Sequence, residues 1–199
     1  MILLWKIFFL TLVTTSILFL AWILFYPKPA PQSPGEAVNR MIALQDDGRY
    51  DEAVKTVQTW MHKNPRDASR DGLLYQQIAM VYITKAYKKP DSREDSVGQA
   101  QQNLEMALSL HDQGVPGSLG TDLFEIGTGY EALGNLPVDE NCKFYEKARQ
   151  LFERQLPLIQ SDTYTAYGTT VRLEPLRAEV RKHLAAVRQK LSNAGCPAN

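Results

Sequence analysis

Histidine, cysteine and carboxylate side chains are the groups in this sequence that could bind a metal or carry acid–base chemistry. The three histidines, His62, His111 and His183, fall in separate segments with no second histidine or cysteine at ligand spacing. Metal sites in proteins need three or four such ligands brought together. The sequence therefore predicts no metal site, and it predicts that the histidines are solvated residues on helix surfaces.

Motifs for nucleophilic catalysis and phosphate binding are also missing. The glycine-containing stretch 114–120 does not follow a strand pattern, as a phosphate-binding loop requires, and no Gly-x-Ser-x-Gly motif occurs. Carboxylates such as Glu94 and Asp95 fall in turns and first helical turns, where the helix dipole favours negative charge. We expect a protein that is not an enzyme, that uses no cofactor and that has no small-molecule substrate.

The charge balance indicates which partners to expect. The chain carries 22 Lys and Arg residues against 22 Asp and Glu residues. Nucleic-acid binding depends on clustered basic residues that neutralise phosphates. We therefore expect a protein partner and no nucleic acid.

The first 34 residues differ from the rest of the chain. Residues 7–26 are a run of 20 without a charge, and such a helix spans about 30 Å, the thickness of a bilayer core. A cleavable signal peptide has a shorter apolar region followed by small residues at a cleavage site. The pattern predicts an uncleaved transmembrane signal-anchor in residues 1–26, with residues 6–26 in the membrane, followed by an extended proline-rich linker, 27–34.

The charges beside this segment give an expected orientation. Lys6 and the α-amine precede the apolar run, and the positive-inside rule places them in the cytoplasm. We therefore expect a single-pass protein of the bacterial inner membrane with its C-terminal domain in the periplasm. The alternative is the opposite orientation, with that domain in the cytoplasm.

Beyond residue 34 the apolar residues recur at helical spacing, and turn signals cut the chain into segments suited to helix hairpins. Three segments repeat a pattern of small and aromatic residues. The matching positions are Tyr50, Ala53, Trp60 and Pro65, then Tyr75, Ile78, Ala79, Tyr82, Ala100, Leu104 and Ala107, then Leu123, Ile126, Gly127, Tyr130, Tyr145 and Ala148. This pattern resembles the tetratricopeptide repeat (TPR) family.

The resemblance implies an all-α fold. It implies a superhelix of about three helix hairpins, with repeats at about 35–66, 70–112 and 118–156 in a domain covering 35–199. A C-terminal helix within 171–195 carries an apolar stripe on one side and basic residues on the others, as a terminal cap of a solenoid requires.

Proteins of this family bind ligands on a concave face formed by the first helix of each repeat. The register of the resemblance assigns eight residues to that face: Val38, Ile42, Gln76, Met80, Ile83, Phe124, Thr128 and Glu131. We take six of them as candidate partner-binding residues: Val38, Ile42, Gln76, Met80, Phe124 and Thr128. The alternative is that the apolar members pack inside the protein, because a register error of one residue would turn them inward.

Two functions follow from these expectations. The first is a membrane-anchored scaffold or adaptor whose concave face binds a peptide or a helix of an envelope protein. The alternative is a permanent structural subunit of a membrane protein complex, with no exchangeable ligand.

The two cysteines, Cys142 and Cys196, lie near the same end of two predicted antiparallel helices, 138–156 and 175–193. Each helix would be about 28 Å long, so the chain would return from one cysteine to the level of the other. The sequence therefore permits a disulfide, for which the Cα atoms must lie within about 7 Å. The alternative is two unrelated thiols.

Overall fold

The computed structural model describes residues 30–68, 72–114, 122–166 and 169–196. The chain divides into two compact units, Met1–Pro31 and Gln32–Asn199. The described elements all belong to the second unit, and they are helices apart from one two-stranded β-hairpin. The expected helical fold is confirmed in these residues.

The elements follow one another along the chain as consecutive helix pairs and a terminal helix. The helices are α1 (Pro34–Asp46), α2 (Tyr50–Lys63), the single turn α3 (Pro65–Ala68), α4 (Gly72–Lys88), α5 (Arg93–Asp112), α6 (Asp122–Gly134), α7 (Asn141–Leu158) and α8 (Glu174–Asn193). Helix α1 packs on α2, α4 on α5 and α6 on α7, and α8 packs on α7. The described chain therefore contains three successive helix hairpins followed by one more helix.

The first hairpin shows how local sequence sets the helix ends. Ser33 is the N-cap of α1, where its hydroxyl oxygen accepts a hydrogen bond from the backbone N–H of Glu36 at 3.1 Å, and Pro34 occupies the first turn. Gly48 follows the end of α1 with a φ of 74°, a conformation that glycine adopts without steric cost. This turn sends the chain directly into α2.

The connection before α8 contains a β-hairpin, which the sequence pattern does not predict. Strands β1 (Thr163–Ala166) and β2 (Thr169–Arg172) pair antiparallel, with Thr163 opposite Arg172 and Ala166 opposite Thr169. The strands are rich in threonine, which favours extended backbone. Each has only four residues, too few for an alternation of apolar and polar residues to stand out.

Two apolar cores stabilise the helices, and α4 contributes to both. One core joins α1 and α2 to one side of α4, and its most buried large residues are Met41, Trp60, Leu74 and Ile78. The second core joins the other side of α4 to α5, α6, α7 and α8, and its members include Ile83, Leu104, Phe144, Phe152 and Val187. Helix α4 is therefore the central helix of the described fold.

Helix α8 attaches to this second core by an apolar stripe and by a covalent bond. Val180, Leu184 and Val187 are buried. Directly after the helix, Cys196 forms a disulfide with Cys142 of α7, with a Cα–Cα distance of 5.5 Å. Helix α8 is thus attached to the second core by its apolar stripe and to α7 by the disulfide.

The predicted membrane localisation is contradicted by the described helices. The segment on which it depended, residues 6–26, lies outside the described residues, as do residues 27–29 of the linker. Within the described ranges, no helix is long and apolar enough to cross a bilayer. The apolar helix α4 has only 17 residues and carries Lys85 and Lys88 in its last turn, whereas a membrane span needs about 20 predominantly apolar residues.

Candidate functional site

The first helices of the three hairpins, α1, α4 and α6, lie side by side and are linked by hydrogen bonds. The Gln45 amide of α1 donates to the hydroxyl oxygen of Thr84 on α4 at 3.4 Å. About one turn further along α4, the Tyr87 hydroxyl donates to the backbone carbonyl of Ala132 on α6 at 3.2 Å. Side chains that point the same way as these four residues therefore share one continuous surface.

Helix α4 exposes an apolar stripe on this surface. Leu73, Met80 and Tyr87 are separated by seven residues, which is close to two helical turns, so they lie one above another. Their exposed fractions are 44%, 39% and 46%. Ile42 of α1, one turn before Gln45 on the same helix face, is 41% exposed. We call these four residues the apolar face.

Exposed large apolar residues are unusual among the described residues, since most other large apolar side chains there are packed into the cores. The structure records only two more among the described residues, Met106 on α5 and Leu158 at the end of α7. Four of the six thus come together on α1 and α4. Clustered apolar exposure is typical of surfaces that bind other molecules.

The residues predicted to bind a partner are distributed between this surface and the interior. Ile42 and Met80 belong to the apolar face. Val38 is half-buried and packs against the first core, and Thr128 is half-buried with its hydroxyl donating to the backbone carbonyl of Glu125 at 2.8 Å. The structure thus brings Ile42 and Met80, but not the full predicted set, to an accessible surface.

Gln76 and Ile83 are corrections to the predicted set. Ile83 is 2% exposed and Gln76 is 4% exposed, because both lie on the part of α4 that faces neighbouring helices. The Gln76 side-chain oxygen is buried and has no hydrogen-bond partner among the described residues. These two side chains are inaccessible to a partner in this structure.

Phe124 is also mostly withdrawn from the surface. Its ring packs against Phe152 of α7 at a centroid distance of 6.0 Å and edge-on against His183 of α8 at 5.4 Å. Helix α8 therefore covers part of α6. A terminal cap, the role predicted for α8, does not require this contact with a predicted binding residue.

Glu131, predicted to lie on the concave face, is used inside the protein. It is 7% exposed; one carboxylate oxygen lies 2.6 Å from His183 Nδ1 and the other accepts a hydrogen bond from Lys190 at 2.7 Å. The prediction that His183 is a solvated helix residue is therefore wrong. Nothing in the sequence around Glu131 indicates that this carboxylate is buried.

A separate cleft of about 440 Å³ lies among α5, α7 and the end of α8. Its walls combine charged and apolar groups, including Glu105, Tyr130, Lys147, Leu191 and the disulfide of Cys142. Burial raises the pKa of the Tyr130 phenol above its ordinary value. None of the residues that line this cleft belongs to the apolar face.

The described residues offer no arrangement for metal chemistry. Within those ranges no three His, Cys, Asp or Glu side chains lie close enough together to hold a metal ion. The apolar face itself carries only aliphatic, thioether and phenol groups, which bind by burial and packing. What the arrangement can do chemically is therefore non-covalent recognition of an apolar surface.

Comparison of the chain with protein-family models, with curated proteins and with solved structures finds no match.

Two members of the apolar face, Leu73 and Tyr87, were missed in the sequence. The signal that could have found them is the seven-residue spacing of Leu73, Met80 and Tyr87 within one helix. The register taken from the TPR resemblance selected Gln76 and Ile83 in the same helix instead. The spacing of apolar residues outside the repeat pattern was the better guide.

Proposed function

We propose that this protein is a TPR-like binding module whose apolar face takes the apolar side of a helix or peptide from a partner protein. The observation that carries the proposal is the clustering of Ile42, Met80 and Tyr87 on adjoining first helices. Within the described ranges, neighbouring helices bury most other large apolar residues, whereas these three are 41%, 39% and 46% exposed.

The TPR-like character of the fold is part of this proposal. It is supported by the succession of three hairpins and by the contacts of α4 with both α1 and α6. It is also supported by the small residues at helix crossings, since Ala79 and Ala100 are fully buried where α4 meets α5. In a repeat array of this kind each first helix contacts the next, and the row of first helices forms a binding surface.

The dimensions of the apolar stripe suit a helical partner. Leu73 and Tyr87 are 14 residues apart, which is about 21 Å along a helix axis. A partner helix would therefore present apolar residues over about four turns, at spacings of three, four and seven residues. The Tyr87 hydroxyl is held by Ala132, so its ring has little rotational freedom to lose on binding.

Site-specific photocrosslinking tests the proposal and identifies the partner. A photoreactive amino acid placed at position 80 of the full chain should crosslink one partner in the native cell, and the same group at position 106 should not. Met106 is the matched control because it is a methionine of similar exposure, 46%, on α5. Equal crosslinking from both positions would refute the proposed site.

The affinity of the purified partner then measures the contribution of the face. Met80→Glu should weaken binding by about tenfold or more, because a charge would be buried against an apolar surface. Met106→Glu should leave the dissociation constant unchanged. Because both side chains are exposed, both variants should retain the helical circular dichroism and melting temperature of the wild type. A similar loss of affinity in both variants would contradict the assignment.

A further inference from the structure

A second, chemically different cleft lies at the base of the β-hairpin. It has a volume of about 570 Å³ and is lined by Asp162, Thr163, Arg172, Glu174, Arg177, Ala178 and Arg181. Three arginines from β2 and from the first two turns of α8 thus meet at one cleft. Its character is cationic and polar, unlike that of the apolar face.

Intramolecular ion pairs satisfy only one of the three arginines. Arg177 donates to the backbone carbonyl of Gln160 at 2.8 Å and lies 3.2 Å from the Asp162 carboxylate. Among the described residues, Arg172 and Arg181 have no carboxylate within ion-pair distance. Of the two acidic residues in the lining, Asp162 is therefore already shared with Arg177, and Glu174 alone remains to offset two guanidinium groups.

This cluster is unfavourable for the protein on its own. Arg177 and Arg181 are four residues apart on α8, a spacing at which like charges destabilise a helix. Arg177 also lies at the end of the first turn of α8, where the positive end of the helix dipole disfavours a cation. Packing does not explain the arrangement either, because Arg172 and Arg181 are exposed.

An oxyanion bound in the cleft would be attracted by the arginine guanidinium groups and by the positive end of the α8 dipole. Guanidinium groups bind carboxylate and phosphate through paired, charge-assisted hydrogen bonds. Helix α8 adds unsatisfied donors, because its N-cap residue is Leu173, whose side chain cannot accept a hydrogen bond from the first turn. The basic cleft and the uncapped helix end therefore favour the same kind of ligand.

We propose that this cleft is an oxyanion-binding site, in which Arg172 and Arg181 hold a phosphate or carboxylate group beside the fixed guanidinium of Arg177. The site is independent of the apolar face and does not depend on the proposed function. Arg177 sets the geometry through its bonds to Gln160 and Asp162. Arg172 and Arg181 supply the charge that is not neutralised within the protein.

Titration of the full chain with inorganic phosphate and with succinate, at constant ionic strength, tests the site and separates the two ligand classes. We expect saturable binding of at least one of them by calorimetry, together with a rise in melting temperature. Saturation by phosphate alone would assign the site to phosphate groups, and saturation by succinate alone to carboxylates. Absence of saturable binding of either anion would overturn the proposal.

Arginine variants with a matched lysine control locate the site. Arg172→Gln and Arg181→Gln should each weaken anion binding by about tenfold, since each removes a charge-assisted contact. Lys182→Gln removes the same charge from the neighbouring position of α8 but lies outside the cleft, and it should change the affinity by less than about twofold. Equal weakening by Arg181→Gln and Lys182→Gln would show a non-specific charge effect and overturn the assignment.

The stability of the anion-free protein gives a second readout. Because the arginines repel one another, Arg181→Gln should leave the melting temperature unchanged or raise it slightly in the absence of phosphate. The variant should then gain less stability than the wild type when the anion is added. A lower melting temperature without anion would show that Arg181 already has a stabilising role within the protein, and this result would contradict the proposal.

Discussion

Glu131 on α6 and His183 on α8 are joined by a 2.6 Å contact between carboxylate Oε2 and imidazole Nδ1. Lys190 of α8 satisfies the other oxygen of the same carboxylate. Glu131 is nearly buried, and a buried carboxylate is costly unless hydrogen-bonded groups surround it. This one acidic residue therefore fixes the position of α8 along α6, in addition to the apolar stripe that attaches α8 to α7.

Replacing Glu131 by glutamine should destabilise the protein by about 1–3 kcal/mol, because the neutral amide cannot satisfy both His183 and Lys190 as the carboxylate does. The loss stays below that of a fully buried pair, since His183 and Lys190 can turn partly into water. Urea denaturation measures the change. Glu140→Gln is the control, because its pair with Lys143 is exposed and should contribute less than about 0.5 kcal/mol.

Gly127 is a position where alanine should destabilise a helix. A Cβ atom there would lie 2.6 Å from Cε1 of Phe152, and that ring is held between Phe124 and His183. Overpacking of this kind costs about 1–3 kcal/mol, which exceeds the gain of about 1 kcal/mol in helix propensity. Chemical denaturation of Gly127→Ala should therefore show a lower free energy of unfolding.

Gly98 on α5 is the matched control, because a Cβ atom there meets nothing within 4 Å. Gly98→Ala should stabilise the protein by about 0.5–1 kcal/mol through helix propensity alone. The two alanine variants thus have opposite expected signs. A stabilised Gly127→Ala variant would mean that the ring of Phe152 has room to move.

The helices could be predicted from the sequence because apolar residues recur at a regular spacing over each of them. The stripe of Val180, Leu184 and Val187 is an example, and all three are buried. The β-hairpin could not be predicted, because four-residue strands do not establish a period. The polar contacts between helices, such as Glu131 with His183, depend on the relative rotation of α6 and α8, which the sequence pattern does not encode.

Only part of the apolar face could be predicted, because the rotation of α4 about its axis is also not encoded in the sequence pattern. Ile42 and Met80 were found from the repeat register and are exposed, whereas Gln76 and Ile83 from the same register are buried. Gln76 and Ile83 are four and three residues from Met80, so only about 40–60° around the axis of α4 separates the buried positions from the exposed one. The packing of both faces of α4 against other helices decides this rotation, and that information is non-local.

Glu125 should make stability fall as the pH rises. Burial, with a smaller effect of the neighbouring Asp122 carboxylate, raises the pKa of Glu125 above its ordinary value. Between the unfolded pKa of about 4.3 and the higher folded pKa, the native state binds more protons than the unfolded state, so its stability decreases. Glu125→Gln should therefore be more stable than the wild type at neutral pH and equally stable below about pH 4.

Glu146 provides a control of opposite sign. The hydrogen bond from Arg149 lowers the pKa of Glu146, so this carboxylate stabilises the native state at neutral pH and loses that contribution as the pH falls through its folded pKa. Glu146→Gln should be less stable than the wild type at neutral pH, and the difference should vanish in acid. Urea denaturation across the pH range checks both variants, and parallel pH profiles for the two would contradict the assignment.

The disulfide between Cys142 and Cys196 should stabilise the protein, and its removal should loosen α8 more than the other helices. It connects residues 54 apart in sequence, and a closed loop of that length contributes roughly 4 kcal/mol under the chain-entropy model. Alkylation of the unfolded but unreduced protein should label no thiol, and prior reduction should expose both.

In the double variant Cys142→Ser, Cys196→Ser, hydrogen exchange should increase most in α8, because the other helices keep their contacts with their hairpin partners. A uniform increase over all helices would show that the bond acts on global unfolding alone, and two reactive thiols in the unreduced protein would show that the bond does not form.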